Sequence, residues 1–421
     1  MSIRKIIFWL HLVAGVVAGV VILIMSVTGA AIAFEKQTIA MAEGSARRVA
    51  PSAMNATLLT VDELLAKVRE AQPGARPSGV TFYADPLLAT AVSFGRTNLV
   101  YVNPQTGELS AQGAAGTRKF MRVMTDWHRW LGREGDGRAV GKAITGACNT
   151  AFLVLAMSGI YLWWPRRWSV ESLKAISLFR GGLRGKARDW NWHNVIGIWC
   201  APVLVVLTAS GMVISYRWAS DLIYRAAGST PPPPGAGPGG AATVTVPTPA
   251  PRTKPLSYEQ LLVVVKKHAS QWEQITLRLG SSEGRPASGE TRERRGGESS
   301  TTNAPAGSEG GRRERGSQPQ AVTVSVKERN AWPLFATVQF TLDPYTGEVL
   351  KRESYADQDR GRRARSWLRF LHTGEALGIA GQAIAGLASL GGAMLVWTGL
   401  SLSWRRYVFK NPPAGTGASD R

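Results

Sequence analysis

Cysteine and histidine are scarce: two cysteines and five histidines in 421 residues. Cys148 and Cys200 both fall in apolar runs and the long polar stretches have none, so there is no disulfide framework. The absence of CxxC and CxxCH motifs excludes covalent haem attachment of the c type. The two thiols read as small apolar packing residues. A dinucleotide fingerprint is also missing, because the Gly-rich "RGGLRG" at 180–185 follows no strand pattern. Acidic residues number 29 against 50 basic ones, leaving a formal charge of +21.

Charge is nearly absent from four windows: Ile6–Phe34, Ala143–Trp164, Val195–Tyr216 and Ile379–Trp404. Each is long enough to cross a hydrocarbon core of ~30 Å, which takes ~20 helical residues. The chain therefore reads as an α-helical membrane protein with four transmembrane helices. The first window has an A-x-A pattern at its end, but it is about twice the length of a signal h-region of ~7–15 residues, and reads as a retained span. Short loops orient the spans. Arg4 and Lys5 precede the first, seven basic residues lie in the loop 165–190, and Arg405 and Arg406 follow the last. The positive-inside rule puts these three segments in the cytoplasm and the two long loops outside. The net positive charge then needs no nucleic acid. It is partly topology and partly basic stretches facing membrane lipids or an anionic ligand.

The chain is written twice. Aligning His11 with His193 brings Gly15 onto Gly197 and Gly29 onto Gly211, with Trp9 and Trp192 just before the histidines. After each first span comes a capping box and a helical run, "TVDELLAKVREA" (60–71) and "SYEQLLVVVKKH" (257–268). Alternating runs follow that predict strands: "GVTFYA", "ATAVSFG" and "LVYVN" in the first half, "QITLRL", "AVTVSVK" and "LFATVQFTL" in the second. Both halves reach one β-turn pattern, "VNPQTGEL" (102–109) and "LDPYTGEV" (342–349). Both close alike: "WHRWLG" (127–132) answers "LHTGEALG" (371–378), and "SGIYLWWPRR" (158–167) answers "TGLSLSWRR" (398–406). The expected unit is a span, a small exported α+β domain, a histidine and a second span, made twice.

The expected order is a first span (6–34), an α+β domain (55–115), an interfacial helix with the second span (118–164), a basic loop (165–190) and a third span (191–218). A Pro/Gly linker (229–255) leads to a second α+β domain (256–353), an interfacial segment with the fourth span (363–404), and a tail (405–421). Within the second domain, 281–320 is low-complexity, charged and nearly free of large apolar residues, and reads as a disordered insert.

Four of the five histidines occupy matching places. His11 and His193 begin spans at the inner edge; His128 and His372 precede the returning spans at the outer edge. Single interfacial histidines beside tryptophans are ordinary. Two depth-matched pairs call for more, because ionisable residues in spans are costly and usually functional. Neutral imidazole is a ligand for iron, copper or zinc. Zinc wants three or four protein ligands, and only the single carboxylates Glu35, Asp126 and Glu375 stand near the outer pair. Haem needs only two axial ligands, and two imidazoles between helices make a low-spin electron-transfer centre. Gly15 and Gly197, one turn beyond their histidines, either admit a porphyrin face or let helices pack closely. Arg129 and Arg369 outside, and Arg4 and Arg188 inside, either pair with propionates or snorkel to lipid phosphates. Counting back from Trp164 and Trp404 leaves His128 and His372 twelve or more residues beyond the hydrocarbon edge, which predicts an outer centre at a wet rim. His268, in the soluble helical run, has no counterpart and reads as structural.

The pattern "WHRWLG…SGIYLWWPRRW", the N/DPxTGE turns and the duplicated layout resemble the PepSY-associated transmembrane family over nearly the whole chain outside the inserts and tail. The resemblance implies a PepSY-like fold for each exported domain and a bacterial inner-membrane protein with both termini cytoplasmic and two periplasmic loops. It further implies a ferric-siderophore reductase carrying haem b, one haem held by His11 and His193 and another by His128 and His372. Electrons would pass from a cytoplasmic or quinol donor to a ferric siderophore or other ferric chelate, with Arg129 and Arg369 as propionate or substrate contacts. The second half departs from the family pattern at "LHTGEALG" and in having no proline after Trp404. PepSY domains also resemble inhibitory propeptide segments, so a membrane-anchored binder restraining an envelope protease is the rival expectation. An iron-chelate transporter is a third, with no paired intramembrane acids to form a pathway.

Overall fold

The computed structural model describes residues 2–49, 57–95, 98–110, 114–165, 168–233, 244, 246–250, 253–279 and 320–407. The insert 281–320 apart from its last residue, much of the Pro/Gly linker, Arg166 and Arg167, and the tail from 408 onward lie outside the described residues.

The N-terminal half runs α1 (Ile3–Ile32), α2 (Glu35–Ala42), α3 (Gly44–Arg47), α4 (Val61–Ala71), β1 (Gly79–Tyr83), β2 (Thr90–Phe94), β3 (Asn98–Val102), α5 (Ala115–Trp130) and α6 (Gly137–Trp163). A connector, α7 (Val170–Ser177), leads to the C-terminal half: α8 (Gly185–Ser215), α9 (Arg217–Ala226), α10 (Tyr258–His268), β4 (Trp272–Arg278), β5 (Val322–Glu328), β6 (Val338–Leu342), β7 (Val349–Glu353), α11 (Arg360–His372) and α12 (Gly378–Tyr407). Four helices, α1, α6, α8 and the stretch Glu375–Arg406 that includes α12, are long and apolar enough to cross a membrane.

The strands do not form two separate domains. They join in one antiparallel seven-stranded sheet of order β3-β2-β1-β4-β5-β6-β7, with β1 and β4 paired at the seam. Thr81 lies opposite Thr276 there, their hydroxyls 3.2 Å apart. The reason is edge satisfaction: a three-stranded unit leaves β1 with unpaired N–H and C=O groups, and the neighbouring β4 edge covers them. The alternating apolar residues of both halves then share one core. Val61, Leu64, Leu65 and Val68 of α4 and Leu261, Leu262 and Val265 of α10 pack on Val80, Val92, Ile275, Leu277, Val324 and Phe340. Both capping boxes form, Thr60 with Glu63 and Ser257 with Gln260. The two helix N-termini also exchange carboxylates: Val61 N donates to Glu259 and Glu259 N to Asp62. The matched turns close on Asn103 and Asp343, whose side chains accept from Gln105 N and Tyr345 N, with Gly107 and Gly347 at positive φ.

In the helical layer α1 and α8 each pack on both α6 and α12, so they stand diagonally across a four-helix bundle. The chain reverses sharply between α5 and α6. Leu131 and Gly132 take positive φ, and Gly141 lies so close to Trp130 that a Cβ there would meet the Trp130 carbonyl oxygen at 2.1 Å. The C-terminal half repeats the device: Gly374 has φ +76°, and a Cβ on Gly381 would meet the Gly374 oxygen at 2.3 Å. These reversals fold α5 and α11 back onto the bundle.

Candidate functional site

The bundle brings the four histidines together in two facing pairs. His11 of α1 and His193 of α8 have ring centroids 6.5 Å apart, and His128 of α5 and His372 of α11 have theirs 6.3 Å apart. Each pair takes one ring from each half of the chain. The diagonal placement of α1 and α8 explains the first pair, since residues at matching positions on diagonal helices face each other across the bundle axis. The returns α5 and α11 explain the second.

Every ring is held at Nδ1. His11 Nδ1 lies 2.8 Å from Ser158 Oγ, and His193 Nδ1 2.9 Å from Thr398 Oγ1. His128 Nδ1 lies 2.9 Å from the Met25 carbonyl and 3.2 Å from Thr28 Oγ1. His372 Nδ1 lies 2.8 Å from the Leu207 carbonyl and 3.2 Å from Ser210 Oγ. Burial pushes His128 down to about 4 and lowers His372 from the ordinary histidine value, so both imidazoles are neutral near pH 7.

These partners correct the expected depth of the second pair. Met25 and Leu207 lie about two turns inside the sheet-side ends of α1 and α8, so the pair sits among the helices and not at a rim beyond them. Counting along the chain misplaced His128 and His372 because the glycine reversals send α5 and α11 back toward the bundle.

Each pair is a donor set that could hold a haem. Among the described residues no group of three or more His, Cys, Asp or Glu side chains is placed to hold a metal ion. Each site offers two imidazoles, which fits a group that would bring its remaining ligands with it. The centroid separations of both pairs are ones at which two imidazoles could hold one metal between them at bonds of about 2 Å. Glycines flank three of the rings. A Cβ on Gly159 would lie 3.5 Å from His11 Cε1, on Gly399 3.4 Å from His193 Cε1, and on Gly29 3.2 Å from His128 Cε1. Gly15 and Gly197 have a different role, their would-be Cβ atoms in ordinary contact with Leu155 and Leu395 of neighbouring helices.

The arginines divide. Arg4 donates to the carbonyls of Leu162 and Trp164 and so caps the end of α6. Arg188 pairs with the buried Asp189, which also accepts from Ser401 of α12 and lies 3.7 Å from Arg405. Arg129 lies over the Trp130 ring at 4.6 Å and Arg369 over the Phe370 ring at 5.5 Å, both exposed on the sheet side. His268 stays apart, exposed and bonded to the Val264 carbonyl.

Sequence reasoning missed Thr28, Ser158, Ser210, Thr398 and Asp189. The signal for the first four was present: each is a hydroxyl residue directly before a glycine, and Thr28 and Ser210 each stand seventeen residues after the histidine that opens their span.

The family model described as the PepSY-associated TM region matches residues 8–406. No curated protein matches the chain.

Proposed function

The chain belongs to the PepSY-associated TM family, and on that premise we propose that it is a haem b oxidoreductase of the bacterial inner membrane that reduces a ferric chelate, in the first place a ferric siderophore, outside the cytoplasm. The observation that carries this reading is the pair of histidine pairs, each with ring centroids at a separation at which two imidazoles could hold one metal between them. His11 and His193 would hold one haem, and His128 and His372 the other. Bound between such imidazoles, haem iron supplies reversible one-electron transfer.

The protein's own residues do the rest. The basic residues in the first turn of α1, between α6 and α8, and in the last turn of α12 support a cytoplasmic side for the first pair. The sheet and the second pair then face the periplasm, with both halves reading as PepSY-like repeats. Along α1 the two levels, His11 and Met25, are fourteen residues or ~21 Å apart, so the pairs form two stations across the bilayer. Apolar packing of Leu204, Leu207, Ala385 and Ala388, with Phe152 and Cys200, keeps water out between them. On the periplasmic side Lys119, Arg122, Arg363, Arg365 and Arg369 supply positive charge for an anionic chelate. Arg118 and Arg362 contribute less, being bound to the buried carboxylates of Glu43 and Glu353. One electron added to the chelated iron converts ferric to ferrous ion, which oxygen-rich chelators hold far more weakly. The donor on the inner side is a cytoplasmic protein or a quinol.

Membranes from haem-replete cells expressing the chain should show a reducible b-type Soret band, one haem for each pair, and should yield trapped ferrous iron when given a donor and a ferric chelate. A colourless purified protein refutes the reading.

A further inference from the structure

The hydroxyls beside the histidines also donate to carbonyls of their own helices. Ser158 Oγ gives its proton to the Val154 carbonyl at 2.6 Å, and Thr398 Oγ1 gives its proton to the Met394 carbonyl at 2.8 Å. A hydroxyl has one proton; with it given to the helix carbonyl, the oxygen accepts from the ring Nδ1–H of His11 and His193. The same holds for Thr28, which donates to Ile24 O, and for Ser210, which donates to Val206 O, both at 2.6 Å. The Met25 and Leu207 carbonyls are acceptors by nature. The carbonyl partners put the proton on Nδ1 of His128, His372 and His193, and with Ser158 donating to Val154 the same form follows at His11, which leaves the lone pair on Nε2. The glycine after each hydroxyl gives the ring room in three cases; Gly211 instead lies against the Asn149 amide.

We propose that the four steps Thr28-Gly29, Ser158-Gly159, Ser210-Gly211 and Thr398-Gly399 are one positioning device used four times, locking each histidine as the Nδ1–H tautomer and setting how electron-rich its Nε2 is as an iron ligand. The proposal rests on the haem reading above. The device is reciprocal within each half. Thr28 of the first span holds the second-pair histidine, His128, while Ser158 of the second span holds the first-pair histidine, His11. Ser210 and Thr398 do the same for His372 and His193. The two levels differ in the acceptor. At His11 it is the Ser158 side-chain oxygen; His193 has the Thr398 oxygen and beside it the Leu395 carbonyl. At His128 and His372 the shorter bond goes to a main-chain carbonyl, which no substitution removes.

That difference makes the test. A hydrogen bond from the far nitrogen raises the basicity of a ligating imidazole and favours ferric iron, so losing the bond raises the potential. In the full-length, haem-loaded protein, spectroelectrochemical titration should resolve two components. Ser158→Ala should raise the midpoint of one component, Thr398→Ala should raise the same component by less because the Leu395 carbonyl still accepts from His193, and both should leave the other component in place. Thr28→Ala and Ser210→Ala should move the second component less, and Ser158→Thr and Thr398→Ser should restore the wild-type value. Unmoved potentials in Ser158→Ala and Thr398→Ala, shifts in different components, or equal shifts in the Ser/Thr exchanges would overturn the proposal. Nitrogen-15 spectra of the haem-free protein read the lock without the cofactor: Nδ1–H at His11 and His193 supports it, and the Nε2–H form refutes it. A chain that takes up no haem yet keeps the Nδ1–H form refutes the functional reading alone.

Discussion

A histidine set between apolar helices must satisfy two nitrogens where water is scarce, and here four rings satisfy one each and leave the other unbonded among the described residues. An imidazole fixed through Nδ1 with Nε2 left free is what a ligand requires. His193→Ala should abolish the component belonging to the first pair, roughly half of the b-type absorbance, while the second remains; difference spectra of the purified protein check this. His268→Ala should leave both intact, since its ring lies exposed on α10 with its own helix as partner. The four ligand candidates were legible from the sequence because depth and repetition select them from only five histidines. Their hydroxyl partners were not, because Ser and Thr in a span are ordinary back-bonding residues until a ring is seen against them.

At the scale of the element, the histidines of the second pair depend on how α5 and α11 are pinned. Glu43 is 1% exposed and takes two hydrogen bonds from Arg118 of α5, at 2.5 and 2.7 Å, with a third from the Tyr101 hydroxyl of β3. Burial, then this bond, raises the Tyr101 phenol above its ordinary value, so it stays protonated as the donor. Glu353 plays the matching part for Arg362 of α11. Glu43→Ala leaves a largely buried guanidinium without its carboxylate, a loss of about 3 kcal/mol, and should lower the thermal midpoint of the purified protein and broaden the second-pair spectrum while sparing the first. Gly141→Ala should act more sharply on the same pair, because its Cβ would collide with the Trp130 carbonyl and force α5 off α6; loss of the first component instead would count against this geometry. Most strands were readable from their alternation. β7 was not, since "VLKRE" has no alternating apolar face. The short helices α7 and α9 lay hidden in charged or aromatic loops, where their brief periods are indistinguishable from loop composition.

The whole molecule is held by exchange between its halves: one sheet seam, one shared core and two histidine pairs each made half and half. A protease site placed in the Pro/Gly stretch 234–243 should therefore cut the chain without parting it. Both fragments are expected to co-elute in detergent with both haem components; separation on cutting would show that the shared elements contribute little. By itself the sequence determined four spans, the capped helices, most of the strands, the matched turns and the depth-matched histidines, because each follows from local composition, periodicity and spacing. Only the tertiary structure decided that the two α+β units fuse into one sheet, that α5 and α11 fold back to place His128 and His372 among the helices, and that four hydroxyls meet four rings. Those outcomes depend on which edge covers which, and on how closely glycine lets two backbones approach. Both are contacts between residues far apart in the chain, and no local pattern encodes them.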